Sequence, residues 1–492
     1  MYSFIICLIA LIVGYFVYGR IVDRIFGPDP ARQTPAIANA DGVDFVPMPA
    51  WKVYMVQFLN IAGTGPIFGA IMGAKFGPAC YLWIVFGSIF AGAVHDYLCG
   101  MISIRSSGLG VPNLVGHYLG PIPRRVMLVF SLVLLLLVGT VFVYSPALIL
   151  GDIAGFAGSD KASTMAWVFI IFAYYIVATL LPVDKVIGRI YPIFAAALLF
   201  MAAGLCVCLF AKWPSIPEFW DGLANRGPSV GVQGQPIFPC LFITVACGAI
   251  SGFHATQSPI MARCVKSESM GRPIFYGAMI TEGIVALIWA AVSSYFFFDG
   301  GQAAVGATGS QAPEVVTSVS RAWLGVLGGI LAVLGVVAAP ITSGDTAFRS
   351  ARLIISDFLH LNQSGYKKRL LIAVPLFVAA SLLLWFSIAD ENGFNIIWRY
   401  FGFANQALAC FVLWTTVEFF LQKGKRKGVI MTLIPAAFMT AVCVTYICID
   451  KIGFRMPVTA VPWLALGSLA LDGLIFWLLV RRAKREVARN AQ

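Results

Sequence analysis

The stretch Asn60-Ile-Ala-Gly-Thr-Gly-Pro66 lies in the middle of an apolar run, 51–73, that is long enough to cross a bilayer. A straight helix through it is disfavoured. Gly63 and Gly65 weaken a helix, and Pro66 removes a backbone donor. In hydrocarbon an unpaired backbone group costs several kcal/mol, so a broken helix persists only where the break is buried in protein or lines a wet cavity. A kink made for packing is the competing reading, since glycine is common in membrane helices. A second break half a chain later, Ser251-Gly-Phe-His-Ala-Thr-Gln-Ser-Pro259, favours a site. Paired interrupted helices point to the binding site of a secondary transporter.

Composition agrees with a membrane location. Hydrophobic residues make up 60% of 492, charged residues 11%, and the mean hydropathy is +0.87. These values exclude an ordinary soluble domain. The net charge of +12 sits in short loops, where basic residues act as topology signals rather than as a nucleic-acid surface. The 11 cysteines fall mostly inside apolar segments with no CxxC pair, and read as small buried hydrophobes. The first segment, Tyr2–Gly19, has no basic region before it and no small-residue cleavage site after it, and reads as a retained helix.

Apolar segments at 2–19, 51–74, 80–104, 126–150, 166–182, 190–211, 237–262, 273–298, 322–343, 370–388, 396–421, 428–449 and 460–480 predict about 13 transmembrane helices. With the N-terminus outside, most of the 34 Lys and Arg fall on the cytoplasmic side. They include Arg124, Arg125, Lys367, Lys368, Arg369, Lys423, Lys425, Arg426, Lys427, Arg481 and Arg482. The C-terminus is then cytoplasmic. The whole chain, 1–492, reads as one transmembrane domain. Setting the first helix aside, 51–211 and 237–421 each hold five spans and each open with a broken helix. An odd number of spans inserts the second set upside down, which is an inverted repeat. Two further helices, 428–480, close the chain.

Each break ends in a helix-start signal, Thr64-Gly65-Pro66 and Gln257-Ser258-Pro259. Inversion turns both half-helix N-termini toward the midplane, where their free N–H groups attract an anion. The candidate substrate-binding residues are therefore Asn60, Gly63, Thr64, Gly65, Ser251, Phe253, His254, Gln257 and Ser258, with Phe253 and Tyr144 able to close over a ligand. A charge inside a span costs roughly 2.5–3.5 kcal/mol on insertion scales, so each is a functional candidate. Asp96, after His95, and Glu282 are such residues. Asp472 reads as a structural carboxylate, and Asp345 either functions or pairs with Arg349 one turn on. Thr342, Ser343 and Asp345, with backbone carbonyls near Ala62, could ligate sodium, since hard cations take such oxygens. Asp96, Glu282 or His254 could instead carry protons. Asn405 and Gln406 add a polar spot in the eleventh helix. There is no GxxxxGK[ST], HExxH or GxSxG, so no enzyme is indicated. No cofactor is expected beyond a bound sodium ion.

Several runs together resemble the carbon starvation protein A (CstA) family. They are Asp-Gly-Val-Asp-Phe-Val-Pro at 41–47, Asn-Ile-Ala-Gly-Thr-Gly-Pro-Ile-Phe-Gly-Ala at 60–70, Ala-Gly-Ala-Val-His-Asp-Tyr at 91–97, Met-Ile-Thr-Glu-Gly-Ile at 279–284, and Ala-Pro-Ile-Thr-Ser-Gly-Asp-Thr-Ala-Phe-Arg at 339–349. The resemblance implies a bacterial inner-membrane uptake transporter, linked to nutrient limitation, for peptides or pyruvate. It also implies an all-α fold similar to leucine-transporter (LeuT)-like carriers. The expected partners are the lipid bilayer and a small anionic or zwitterionic substrate, with no nucleic acid. A membrane-embedded nutrient sensor without net transport is the alternative.

Overall fold

A computed structural model describes residues 1–492 apart from 43, 154–159, 181–182, 308, 360–365, 391–392 and 491–492. The expected end of the fifth span, at 182, lies outside the described residues. The described residues are helical, with no strand. A single isolated bridge pairs Met48 with Val265.

Helix α1 (Tyr2–Phe26) continues past the expected end at Gly19, because Tyr18–Phe26 keeps an amphipathic helical pattern up to Gly27 in left-handed geometry. The first broken span is α2 (Ala50–Ile61) followed by α3 (Thr64–Ala74), bent by 49°. Then come α4 (Ala79–Arg105), α5 (Pro121–Ile153), α6 (Asp160–Leu180) and α7 (Val183–Lys212). The second broken span has a short first half, 237–244, an irregular stretch, 245–251, and α8 (Gly252–Ala262). The remaining helices are α9 (Glu268–Phe298), α10 (Ala312–Ala332), α11 (Ala338–Leu359), α12 (Tyr366–Ala389), α13 (Gly393–Gln422), α14 (Arg426–Ile449) and α15 (Val461–Asn490).

Among the described residues nine helices are long and apolar enough to cross a membrane, or up to ten if the bent pair counts as one span. The other expected spans fall on the shorter apolar helix Ala162–Ala178, on the interrupted 237–262, and on α10–α11, which leaves helical geometry at Gly325. Burial separates centre from perimeter. The apolar windows of α4, α9 and α13 are 83%, 89% and 83% buried, those of α1 and α15 only 28% and 17%. Without a hydrophobic drive between helices in lipid, close packing holds such a centre together.

The connections gather on two faces. On one, the Arg226 N–H donates to Phe76 O at 3.3 Å, Lys75 Nζ to Ser310 O at 3.2 Å, and the Ser215 N–H to Asp299 Oδ2 at 3.0 Å. On the other, Arg105 Nη2 donates to Gly27 O at 2.7 Å and to Glu268 Oε2 at 2.8 Å, Lys425 Nζ to Ile25 O at 2.9 Å, and Arg482 Nη1 to Leu119 O at 3.1 Å.

Candidate functional site

The two breaks pack against each other. Gly65, Gly69 and Gly73 recur every fourth residue and form one face of α3. A Cβ at Gly65 would overlap the Cys247 side chain, one at Gly73 would overlap Val245, and one at Gly69 would lie 2.9 Å from Thr244 O. The irregular stretch 245–251 thus runs along a glycine face. Its unpaired carbonyls are satisfied from α4. Trp83 Nε1 donates to Val245 O at 3.1 Å, and Ser88 Oγ to Gly248 O at 3.1 Å. Ser88 lies in a wide turn, Gly87–Gly92, that brings α4 close to Ala249. Such π-type turns recur at functional sites.

The first break falls within the expected stretch, and its half-helix starts two residues ahead of Pro66. Gly63 precedes the new helix, α3 begins at Thr64, and no side chain caps it. The Thr64 hydroxyl and both amide atoms of Asn60 are buried without a hydrogen-bond partner. Gly63 packs against the Phe142 ring. N–H groups at a helix start, a hydroxyl and an amide are donors of the kind that hold a small anion.

The second break needs correcting. Its half-helix starts at Gly252, with Ser251 as the preceding residue, and not at the proline seven residues on. Pro259 sits inside α8. The carbonyl its ring leaves unpaired, Ala255 O, accepts from Cys99 Sγ at 3.6 Å. Gln257 and Ser258 are therefore helix-interior residues. Ser258 Oγ donates to His254 O at 3.1 Å, Gln57 Nε2 reaches Ser258 Oγ at 3.4 Å, and Gln257 Nε2 donates to Thr256 Oγ1 at 2.8 Å. The true N-terminus is occupied. Asn405 Oδ1, from α13, accepts from the Phe253 N–H at 2.7 Å and from Ser251 Oγ at 3.0 Å. Of the two expected anion-attracting ends, the one at Thr64 has no side-chain cap and the one at Gly252 is capped by Asn405. Phe253 packs edge-on to Phe142, and Tyr144 lies against Phe394, away from Phe253.

Three candidate ionisable residues from distant parts of the chain meet behind the second break. His254 Nδ1 donates to Asp96 Oδ2 at 2.9 Å, and His254 Nε2 lies 3.4 Å from Glu282 Oε2. His95 Nδ1 donates to the other Asp96 oxygen at 2.8 Å. All four side chains are fully buried. The chain Glu282–His254–Asp96–His95 joins α9, α8 and α4. Both Glu282 oxygens, His254 Nε2 and His95 Nε2 make no hydrogen bond, so Glu282 meets His254 as an ion-pair contact only. Burying charge costs several kcal/mol per ion even after relaxation. Imidazoles set between carboxylates can take and pass a proton along the row.

The remaining candidates separate. Ser343 Oγ donates to Leu59 O at 3.1 Å, which ties α11 to the end of α2 beside Ala62. Thr342 Oγ1 turns back to its own helix, to Ala339 O at 2.8 Å. Asp345 is elsewhere: Tyr191 OH donates to its Oδ2 at 2.9 Å, and Arg349 Nη2 lies 3.9 Å from its Oδ1. Arg349 also donates to Ala178 O at 2.9 Å. This is the paired arrangement the sequence offered as the alternative for Asp345. Among the described residues no group of three or more His, Cys, Asp or Glu could hold a metal ion.

Two cavities lie toward the two faces. One of about 610 Å³ touches Phe68 and Met72 of α3, Thr244 at the second break, and Trp398 and Arg399 of α13. The other, of about 880 Å³, is lined by Asp44, His117, Arg124 and Arg263. A row of aromatic rings runs from the first cavity to Phe253 at the second break. Phe68 packs on Trp398, Trp398 on Phe401, Phe401 on Phe142, and Phe142 on Phe253, with centroids 5.3–6.3 Å apart. Sequence reasoning named His95 beside Asp96 but gave it no role. It also missed the four-residue glycine spacing, and it did not give Asn405 a role.

Solved structures of a manganese transporter share this fold. Those of the Eremococcus coleocola manganese transporter cover 92% of this chain and 99% of theirs, with a TM-score of 0.56 at 11% identity. The likeness is one of fold. The chain belongs to the carbon starvation protein CstA family, which it matches over residues 1–154, 145–326 and 323–446. A membrane protein of Haemophilus influenzae is 50% identical over 60% of this chain and 91% of its own length. The peptide transporter CstA of Escherichia coli is 26% identical over 87% of this chain and 78% of its own length. The pyruvate/proton symporter BtsT of Escherichia coli is 27% identical over 58% of this chain and 47% of its own. The protein is thus a multi-pass membrane protein of a transporter family.

Proposed function

We propose that this chain is a secondary active transporter that imports a small carboxylate-bearing nutrient, a short peptide or pyruvate, by proton symport across the bacterial inner membrane. The observation that carries the reading is the buried row Glu282–His254–Asp96–His95 set against the second of two adjoining breaks. The substrate carboxylate binds at the open start of α3, held by the Thr64 and Gly65 N–H groups, the Thr64 hydroxyl and the Asn60 amide. A proton received at Glu282 passes to His254 and alters its hold on Asp96. That change acts on α8 and the 245–251 stretch. Because this stretch lies along the glycine face of α3, it also moves the anion site. Ligand and proton then each favour the same conformation, which is the requirement for coupling. The names of the relatives, a peptide transporter and a pyruvate/proton symporter, agree with both halves of this reading.

The proposed topology has about 13 crossings in a five-plus-five inverted repeat, 51–211 and 237–421, with the N-terminus outside. The sorting of connections onto two faces and the matched positions of the breaks support it.

A second reading couples transport to sodium at the carbonyls near Ala62 with Thr342 and Ser343. The contact of Ser343 Oγ with Leu59 O supports it, since it places hydroxyl and carbonyl oxygens together.

Purified protein in liposomes decides between the two. Uptake of dialanine or pyruvate is expected to follow an imposed pH gradient, acid outside, with no sodium present. Uptake that requires a sodium gradient and ignores pH selects the second reading. Binding without uptake under either gradient selects the sensor.

A further inference from the structure

The cavity of about 610 Å³ on the face of residues 75–78 and 450–460 has a chemistry of its own. The first turns of α13 line it through Phe394, Asn395, Ile396, Trp398, Arg399, Tyr400 and Gly402. Asp450, at the end of α14, stands opposite. Arg399 Nη1 is 4.0 Å from Asp450 Oδ1. That separation is an ion pair but too long for a hydrogen bond. Arg399 makes no hydrogen bond among the described residues, so its fork of donors is open, and its side chain, which lines the cavity, is 33% exposed. Asp450 Oδ1 accepts the Ile452 N–H at 3.1 Å, which fixes the carboxylate in its turn. A guanidinium and a carboxylate held side by side, with open donors and aromatic walls, suit a ligand that carries both an ammonium and a carboxylate. Guanidinium binds carboxylate in a two-pronged geometry that ammonium cannot reproduce.

We infer that this cavity is a recruiting site for short zwitterionic peptides, with Arg399 taking the C-terminal carboxylate and Asp450 the terminal ammonium. It touches the second broken span at Thr244, while the start of α3 lies beyond the Trp398–Phe401–Phe142 stack, where Gly63 meets Phe142. Its volume falls in the range of small-ligand pockets, about 300–1,000 Å³, and has room for a short peptide.

The inference rests on the transport reading only for its kinetic arm. Equilibrium binding to purified protein is the first arm, with L-alanyl-L-alanine, its N-acetyl form and pyruvate as probes. Dialanine is expected to bind the wild type. Arg399→Gln weakens it about tenfold or more, and Arg399→Lys restores it only in part. Asp450→Asn, which keeps the acceptor for Ile452, weakens dialanine and leaves N-acetyl-dialanine unchanged. In liposomes Arg399→Gln raises KM with kcat retained. Binding that follows this pattern without any uptake sinks the transport reading and leaves the peptide site standing. Two results overturn the peptide site: dialanine affinity identical in wild type and Arg399→Gln, or a wild type that binds pyruvate and not dialanine.

Discussion

At the scale of single residues, the anomalies are polar groups buried without partners. A hydroxyl left unpaired in a protein interior costs roughly 1–3 kcal/mol, so Thr64 is retained against stability. Thr64→Val keeps the shape and removes the unpaired group. The variant is expected to melt at the same temperature or higher in detergent, while losing substrate affinity by about three- to tenfold, the worth of one hydrogen bond of roughly 0.5–1.5 kcal/mol. A variant that melts lower and binds normally would make Thr64 a packing residue. Glu282 poses the matching question for the proton row. Glu282→Gln keeps size and polarity but cannot exchange a proton. It is expected to retain substrate exchange across the liposome membrane with no gradient, and to lose accumulation driven by pH. Unimpaired accumulation would remove Glu282 from the coupling path.

At the scale of elements, close approach decides which glycines matter. A Cβ at Gly252 would overlap Asn405 O and lie 2.7 Å from Ala409 N, both backbone atoms of α13. Gly467, on the largely exposed α15, has nothing within 4 Å of such a Cβ. Gly252→Ala must push α8 from α13 and strain the Asn405 cap, at a cost of about 1–3 kcal/mol. Gly467→Ala gains helix propensity of the order of 0.5–1 kcal/mol. Thermal unfolding of the two variants side by side should therefore move in opposite directions. The same comparison explains what was legible in the sequence. Gly63, Gly65 and Pro66 placed the first break to within two residues, because glycine and proline act on the backbone locally. The second was misplaced by seven residues, because Pro259 looks like a helix start. Inside a packed bundle a proline needs only a neighbour for the carbonyl it strands, and Cys99 supplies one from α4.

At the scale of the whole molecule, the arrangement can be tested without substrate. Single cysteines in a background lacking the native 11 should react with an impermeant thiol reagent from outside at 303 and 453, and only after permeabilisation at 266 and 424. The reverse pattern would turn the molecule over and reverse the direction assigned to transport. Composition and the run of apolar segments were sufficient for a polytopic helical protein, because burial in lipid imposes length and apolarity on each span separately. The sequence likewise marked Asp96, His254 and Glu282 one by one, since each is costly on its own span. It could not show that they touch one another and His95, or that Asp345 stands apart with Tyr191 and Arg349. Nor could it show that Asn405 closes one of the two helix ends. Those facts depend on which faces of α4, α8, α9, α11 and α13 meet, and that is settled by packing between residues far apart in the chain, which no local pattern encodes.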